Sequence, residues 1–337
     1  MSTLIVEVVR VDAVNKHPNA DKLELVTIKG WQTVEGIGKC KVGDSFVYIP
    51  PDSVLPLELS DKHGVTVHLS KQKVRPVKLR GEMSFGFLIP NEENLPIGTD
   101  VCEKLGITKW EPPERVCGGQ CERPDPLFFK YTDIENFRNF NNILDLGTEI
   151  VVTEKIHGTN SRIGLVFDTE NPEGIFMIGS HNTRKRLGTE SLYERVLTDN
   201  VKDMLRDIAS GLKVKSVILY SEIYGQRVQD LNYGLTGQDW MAFDISVDGS
   251  YLDYDDFQKY CEKYKIKTVP LLWRGPYMPK TILDLYKGKT TLIDNGQIRE
   301  GIVFKPTKEM NHRKVGRVIF KMINDDYLLR KGGSENH

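Results

Sequence analysis

One stretch concentrates groups able to do chemistry: EIVVTEKIHGTN, residues 149–160. Its first half is β-branched and mostly apolar, which predicts a strand ending at Lys155. Gly158 then allows a sharp bend. The pattern delivers an ammonium to the mouth of a sheet, followed by the His157 imidazole and two small polar side chains, Thr159 and Asn160. A free lysine has a pKa near about 10.4, so chemistry at Lys155 requires surroundings that depress that value. Alone, such a lysine is an ordinary surface cation before a hairpin turn.

Further pieces follow in a fixed order. HNTRKR (181–186) sets Arg184 and Arg186 in a basic turn. SEIYG (221–225) puts Glu222 at the end of an apolar strand, before a glycine turn. WMAFDI (240–245) is a strand with Phe243 in its middle. REGIVFK (299–305) places Glu300 at the start of a strand and Lys305 at its end. VIFK (318–321) ends another strand on Lys321. Taken singly, each has an ordinary explanation: a solvated carboxylate, a core phenylalanine, a surface lysine.

The elements that carry these residues are mixed. From residue 127 onward, strands are predicted at 149–154, 162–167, 174–179, 215–223, 239–245, 300–305 and 316–321. Helices are predicted at 190–209, 253–264 and 280–287, the first with an apolar stripe from Leu192 to Ile208. Several consecutive strands have no helix between them, which predicts an α+β fold with antiparallel sheet. Neither Gly-x-Gly-x-x-Gly nor Gly-x-x-x-x-Gly-Lys-Ser/Thr occurs, so neither a Rossmann crevice nor a P-loop is expected.

Residues 1–110 read as about five short strands (4–9, 23–28, 45–49, 73–80, 85–89) with turns between them, which predicts a small barrel or sandwich. The segment 71–80 carries Lys71, Lys73, Arg75, Lys78 and Arg80, either a solvated strand face or a surface that tracks phosphates. Between the halves, EPPERVCGGQCERPDP (111–126) resists helix and strand alike. The expected organisation is therefore 1–110, a Pro/Gly-rich linker 111–126, and a second domain 127–337.

Bulk composition narrows the partners. The 337 residues are 39% apolar and 28% charged, with a net charge of −1, so any nucleic-acid contact must use local basic patches. Five cysteines, at 40, 102, 117, 121 and 261, do not form a disulfide framework and fit a reducing compartment. Cys117 and Cys121 have the closeness of half a metal site, but no second ligand pair follows, and ordinary thiols are the expectation. The N-terminus lacks the pattern of a signal peptide and no apolar run is long enough for a membrane span; a soluble, monomeric cytoplasmic protein is expected.

In their order, Lys155, Glu222, Phe243, Glu300 and Lys321 resemble the signature of the covalent nucleotidyltransferases, the polynucleotide ligases and mRNA capping enzymes. KIHGTN (155–160) looks like the RNA ligase form: DNA ligases and capping enzymes usually carry Asp-Gly where this chain has His157-Gly158. This resemblance spans 127–330. KHPNADKL (16–23) resembles the opening of OB-fold modules that bind tRNA beside aminoacyl-tRNA synthetases. With that OB-like β-barrel placed first and a ligase domain with an ATP-grasp-like antiparallel sheet second, the chain resembles the RNA ligases with an N-terminal OB module.

The resemblance implies ATP and Mg²⁺ (or Mn²⁺) as cofactors and RNA as partner, in a nicked duplex or an RNA/DNA hybrid. It implies that the Lys155 amine attacks the ATP α-phosphorus to give lysyl-AMP. Glu222 and Glu300 would organise metal or bind ribose and would not be bare neighbours of Lys155, since carboxylates raise a lysine pKa. Asn160 would meet the metal through water. Phe243 would stack on adenine, and the backbone carbonyl of Glu154 would read its amino group. Lys321 and Lys305 would neutralise the α-phosphate. His157, Gly158 and Arg184 complete the nucleotide site. One departure stands out: ligases commonly show Lys-x-Lys in the last motif, and here Lys321 is flanked at alternate positions by Ile319 and Ile323. A ligase that seals DNA or mixed ends, and an inactivated ligase scaffold that only binds RNA, are the alternatives.

Overall fold

The computed structural model describes residues 3–111, 120–210, 214–294 and 296–330. They form two compact units: the described residues up to 111 with 135–141 and 325–330, and then 120–134 with 142–324. Among the described residues, no helix is long and apolar enough to cross a membrane.

The first unit is built of short antiparallel strands. Glu7–Arg10, Ser45–Ile49 and Phe87–Pro90 form one sheet in that order, and Ala13–Lys16, Leu23–Ile28 and Trp31–Gly36 form another. Val6, Val8, Val47, Ile49, Leu55, Val74 and Ile89 fill the core. The strand Trp31–Gly36 was not foreseen. Lys29 and Gly30 both have positive φ, 47° and 76°, and make a two-residue turn that pairs Ile28 with Trp31. Only the glycine announces that turn in the sequence.

The predicted strand 73–80 shrinks to Val77–Leu79. Pro76 cannot donate to a ladder, and Lys73 is drawn inward, its ammonium 2.6 Å from Asp52 and 3.3 Å from the centre of the Trp110 ring. Segments 135–141 and 325–330 belong to this unit, although their sequence lies inside the domain expected at 127–337. The reason is Arg138, whose buried guanidinium lies 4.3 Å over Trp31 and pairs with Asp325 at 2.9 Å.

The second unit holds two antiparallel sheets. The first has six strands in the order Arg184–Lys185, Ile175–Ser180, Thr159–Val166, Ser216–Gly225, Gln238–Val247, Ser250–Tyr251. In the second, Glu149–Lys155 lies between Leu271–Pro276 and Gly301–Pro306, and the latter pairs on with Phe320–Ile323. The helix Asp199–Ala209 buries Val201, Met204, Leu205 and Ile208 against Ile163, Leu165 and Leu219.

The predicted helix 190–209 is broken. Leu192–Val196 is a 3₁₀ turn, and Thr198 then caps the true helix by accepting from the Val201 amide. The strand expected at 316–321 forms instead at Phe320–Ile323, while Gly316–Arg317 turns back on Asn311–His312.

Candidate active site

Lys155 ends its strand opposite Gly301, the residue after Glu300. A side chain at 301 would collide with the Met322 carbonyl, so glycine lets the next strand approach. Lys155 Nζ lies 2.6 Å from Glu300 Oε1, and the Glu300 side chain is fully buried. Gly158 performs the same service on the other sheet, where a Cβ would strike the Ile223 carbonyl and crowd Glu222. Asn160 and Glu222 are cross-strand partners and so share a face.

The buried His157 ring lies between two carboxylates, with Nε2 2.6 Å from Asp230 Oδ1 and Nδ1 3.6 Å from Glu300 Oε2. The His157 amide donates to the Tyr233 hydroxyl at 2.6 Å. Asp230 and Tyr233 were missed in the sequence because they sit in a loop with no periodicity; the run QDLNYG (229–234) was the available sign.

The charges are unevenly matched. Burial works against the Lys155 ammonium, but Glu300 and Glu222 outweigh it and raise its pKa. Glu300 is therefore a direct ion-pair partner of the lysine. The physical reason is that an amine buried beside carboxylates is most stable protonated. Burial also pushes Glu300 up, yet Lys155 and His157 hold it at about 2. For Glu222 burial prevails over the attraction of Lys155 and, aided by repulsion from Glu300, drives the carboxyl to about 8. The Asn160 Oδ1 atom is buried with no hydrogen-bond partner.

Comparison with known proteins bears on this geometry. The RNA ligase family matches residues 148–323. The chain belongs to the RNA ligase family. An OB-fold domain family matches residues 5–91 of the same ligase. The ligase is also similar over its length to solved structures of an RNA ligase from Naegleria gruberi. The structure with PPi is 24% identical, covers 96% of this chain and 97% of that chain, and has a TM-score of 0.76. A glutamate-to-alanine mutant with ATP and Mn is 25% identical over 96% and 98%, with a TM-score of 0.76. A lysine-to-alanine mutant with ATP and Mn is 24% identical over 96% and 98%, with a TM-score of 0.77. The family resemblance and the fold class read from the sequence are borne out.

The remaining site residues of this RNA ligase fall at different places. Lys321 is buried on the strand opposite Val303, which in turn faces Thr153, so it shares a sheet face with Lys155. Ile323 sits opposite Gly301.

Phe243 is the extra residue of a β-bulge: Tyr220 faces Asp244 and Ser221 faces Ala242, which leaves Phe243 without a partner. Its half-buried ring packs beside Ile156 and Tyr233 and meets Tyr131 edge-on at 4.9 Å. The Glu154 side chain is buried, and its Oε2 accepts from the Thr291 amide and hydroxyl at 2.8 Å each. Arg184 lies on the edge strand, two strand spacings or about 10 Å from the strand of Asn160. Its Nη1 is 3.9 Å from Asp125, while Arg186 pairs with Glu122 at 2.9 Å.

Lys305 departs from expectation. Its buried ammonium donates to both Asp244 oxygens at 3.0 and 3.1 Å and to Glu309 at 2.8 Å. Those carboxylates occupy the donors that a phosphate would need. Asp244, Glu309, Arg317 and Tyr131, which build this second cluster, were not singled out in the sequence. Cys117 lies outside the described residues, and the Cys121 thiol accepts from Lys185 at 3.5 Å. Among the described residues no group of three or more His, Cys, Asp or Glu could hold a metal.

Proposed function

We propose that this RNA ligase joins an RNA 3′-hydroxyl to a 5′-phosphate, at nicks in duplexes, using ATP and a divalent cation, with AMP carried on Lys155. The observation that supports this most is the Lys155–Glu300 pair, 2.6 Å long, beside a second carboxylate and an unpartnered amide oxygen. The Lys155 ammonium first gives a proton to solvent; the neutral amine then attacks the α-phosphorus, a nitrogen–phosphorus bond forms as the nitrogen sheds a second proton, the bond to the β-phosphate oxygen breaks, and pyrophosphate leaves. AMP then passes to the RNA 5′-phosphate, and the 3′-hydroxyl attacks that phosphorus and expels AMP. These are exchanges of phosphoryl bonds, so the protein mainly positions groups and neutralises charge.

Lys321 carries the positive charge facing the α-phosphate, with Ile323 in place of a second lysine. Phe243, pushed outward by its bulge, offers a face to adenine, and the Glu154 carbonyl reads the adenine amino group. Arg184 serves a ribose or phosphate from the edge strand. Asn160 Oδ1 suits a water on a divalent cation, and Glu222 and Glu300 fit as its carboxylate holders, since oxygen donors in small number suit a cation that stays mostly hydrated. Bound there, the cation would supply positive charge that offsets the carboxylates which keep Lys155 protonated. The OB-fold unit binds the duplex beside the break. Free thiols at Cys40, Cys102 and Cys261 agree with a reducing, cytoplasmic setting, and a monomer is the working state.

The test offers pure protein, ATP and Mg²⁺ nicked duplexes with RNA or DNA on the 3′-hydroxyl side and RNA or DNA on the 5′-phosphate side. Joining only where the 3′-hydroxyl side is RNA is expected. Joining of every duplex makes it a general nick ligase. No joining, with AMP still gained by the protein, refutes the nick and leaves a single-stranded or structured RNA. Failure to gain the mass of AMP refutes the lysyl-AMP route.

A further inference from the structure

The first unit displays a short hairpin, Val77–Leu79 against Glu82–Ser84, whose backbone is fastened while the side chains of its first strand are left open. Its turn residues Arg80 and Gly81 both have left-handed backbone, φ 50° and 99°. Glycine adopts this freely; an arginine does so only where its surroundings over-determine it.

Those surroundings are the HPNADKL motif. The buried His17 ring accepts the Asn19 amide at Nδ1, 3.1 Å, so Nε2 carries the hydrogen and donates to the Leu79 carbonyl at 3.0 Å. Asn19 Nδ2 donates to the Arg80 carbonyl at 3.0 Å, and Gln32 Nε2 to the Met83 carbonyl at 2.9 Å. Every one of these anchors takes a backbone carbonyl. The side chains of Lys78 and Arg80 stay exposed, as do Val77 and Leu79 at 44% and 39%.

Charge pairing supplies a second, independent observation. Five other lysines of this unit are matched, Lys29 with Glu7, Lys39 with Glu35, Lys62 with Glu92, Lys73 with Asp52 and Lys104 with Glu93, whereas Lys41 and Lys71 are not matched among the described residues. Among the described residues, Lys78 and Arg80 on the hairpin, and Lys16 and Lys22 on either side of the clamp, form no ion pair. Unmatched cations on a rigid tip are what a polyanion can take up by releasing its own counterions. The adjoining apolar side chains suit the sugar edges between phosphates.

We infer that the His17–Asn19 clamp and the Arg80 hairpin form a contact site for the phosphate backbone of duplex RNA. The choice of duplex rests on the nick-sealing reading above. The clamp fixes the tip, and Lys78 and Arg80 meet successive phosphates.

The test measures binding of the full chain to a nicked RNA duplex, without ATP, over a series of salt concentrations. For K78A/R80A the affinity is expected to fall about tenfold, and the slope of log affinity against log salt to flatten by about two. AMP labelling of Lys155 should be unchanged. N19A keeps every charge but frees the tip; a several-fold loss with an unchanged slope is expected. K62A removes a matched lysine and should leave affinity and slope as they were.

Wild-type affinity and slope in K78A/R80A, or an equal loss in K62A, would overturn the site. Wild-type behaviour of N19A would overturn the clamp. A protein that loses RNA through K78A/R80A yet never gains AMP would sink the ligation mechanism and leave this site standing. One that seals nicks while K78A/R80A binds normally would do the reverse.

Discussion

The second unit buries two clusters of charge, and they differ in how completely their members are matched. In one, Asp244 accepts from the Tyr131 hydroxyl at 2.8 Å, Lys305 at 3.0 Å and Arg317 at 2.6 Å. Glu309 accepts from Arg317 Nε at 2.6 Å and from Lys305 at 2.8 Å, Arg317 Nη1 donates to the Tyr131 hydroxyl at 3.0 Å, and the guanidinium lies 3.6 Å over the Tyr251 ring. Each acid has a base. Burial pushes the Asp244 carboxyl up, but Arg317 and Lys305 prevail and hold it below the usual carboxylate range. In the other cluster a single ammonium, on Lys155, faces both Glu300 and Glu222. Glu222 drifts up to about 8 and the Asn160 oxygen has no partner. A saturated cluster has nothing left to bind with and serves as architecture, here beside the bulge that presents Phe243. An unsaturated one is stabilised by what arrives.

The comparison breaks first at Lys155. Lys155→Ala should reduce AMP labelling, read by mass, to below detection, because no other amine replaces the attacking group; retained labelling would move the nucleophile elsewhere. The next largest effect belongs to the saturated cluster. Asp244→Ala strands two buried cations and should cost about 3–5 kcal/mol in denaturant unfolding. A loss below about 1 kcal/mol would mean the network is loosely solvated.

The same residue sets a pH dependence. Its folded pKa is depressed, so its stabilisation is complete above the unfolded value near about 3.9 and is lost as pH falls through the folded value. Asp244→Asn should therefore flatten the acid limb of the stability curve; an unchanged limb would assign acid unfolding to other groups.

How much of this was legible in the sequence depends on what each residue needs. Lys155, Glu222, Phe243, Glu300 and Lys321 each look ordinary in their short runs, and only their order along the chain, through the resemblance it carries, singled them out. Lys305 looks the same in sequence, ending REGIVFK, and yet it belongs to the saturated cluster. What distinguishes it is Asp244, on the other sheet, which no local pattern reaches. Arg138 lies in the sequence of one unit and packs in the other because Trp31 and Asp325 meet there. Glu300 as a direct partner of Lys155 was also out of reach, since sequence shows which charges are near along the chain and not which are left unmatched in space.

Phe243→Ala tests the architecture's purpose. If the bulge holds the ring for adenine, ATP affinity should fall by about 1–3 kcal/mol, as base stacking on an aromatic ring is worth that much. An unchanged affinity would return Phe243 to the core.

The smallest expected effect is the sharpest test of the comparison. Glu222→Gln keeps the shape of the side chain and removes a charge that burial already opposes. Stability should change by about 1 kcal/mol or less, against the several lost at Asp244. Cation-dependent AMP transfer should fall steeply in the same variant, because the surplus carboxylate is gone. A variant that unfolds as readily as the Asp244 variants would make Glu222 a structural partner, and the two clusters would then be alike. A stable variant that still transfers AMP at the wild-type rate would leave the surplus charge without a use.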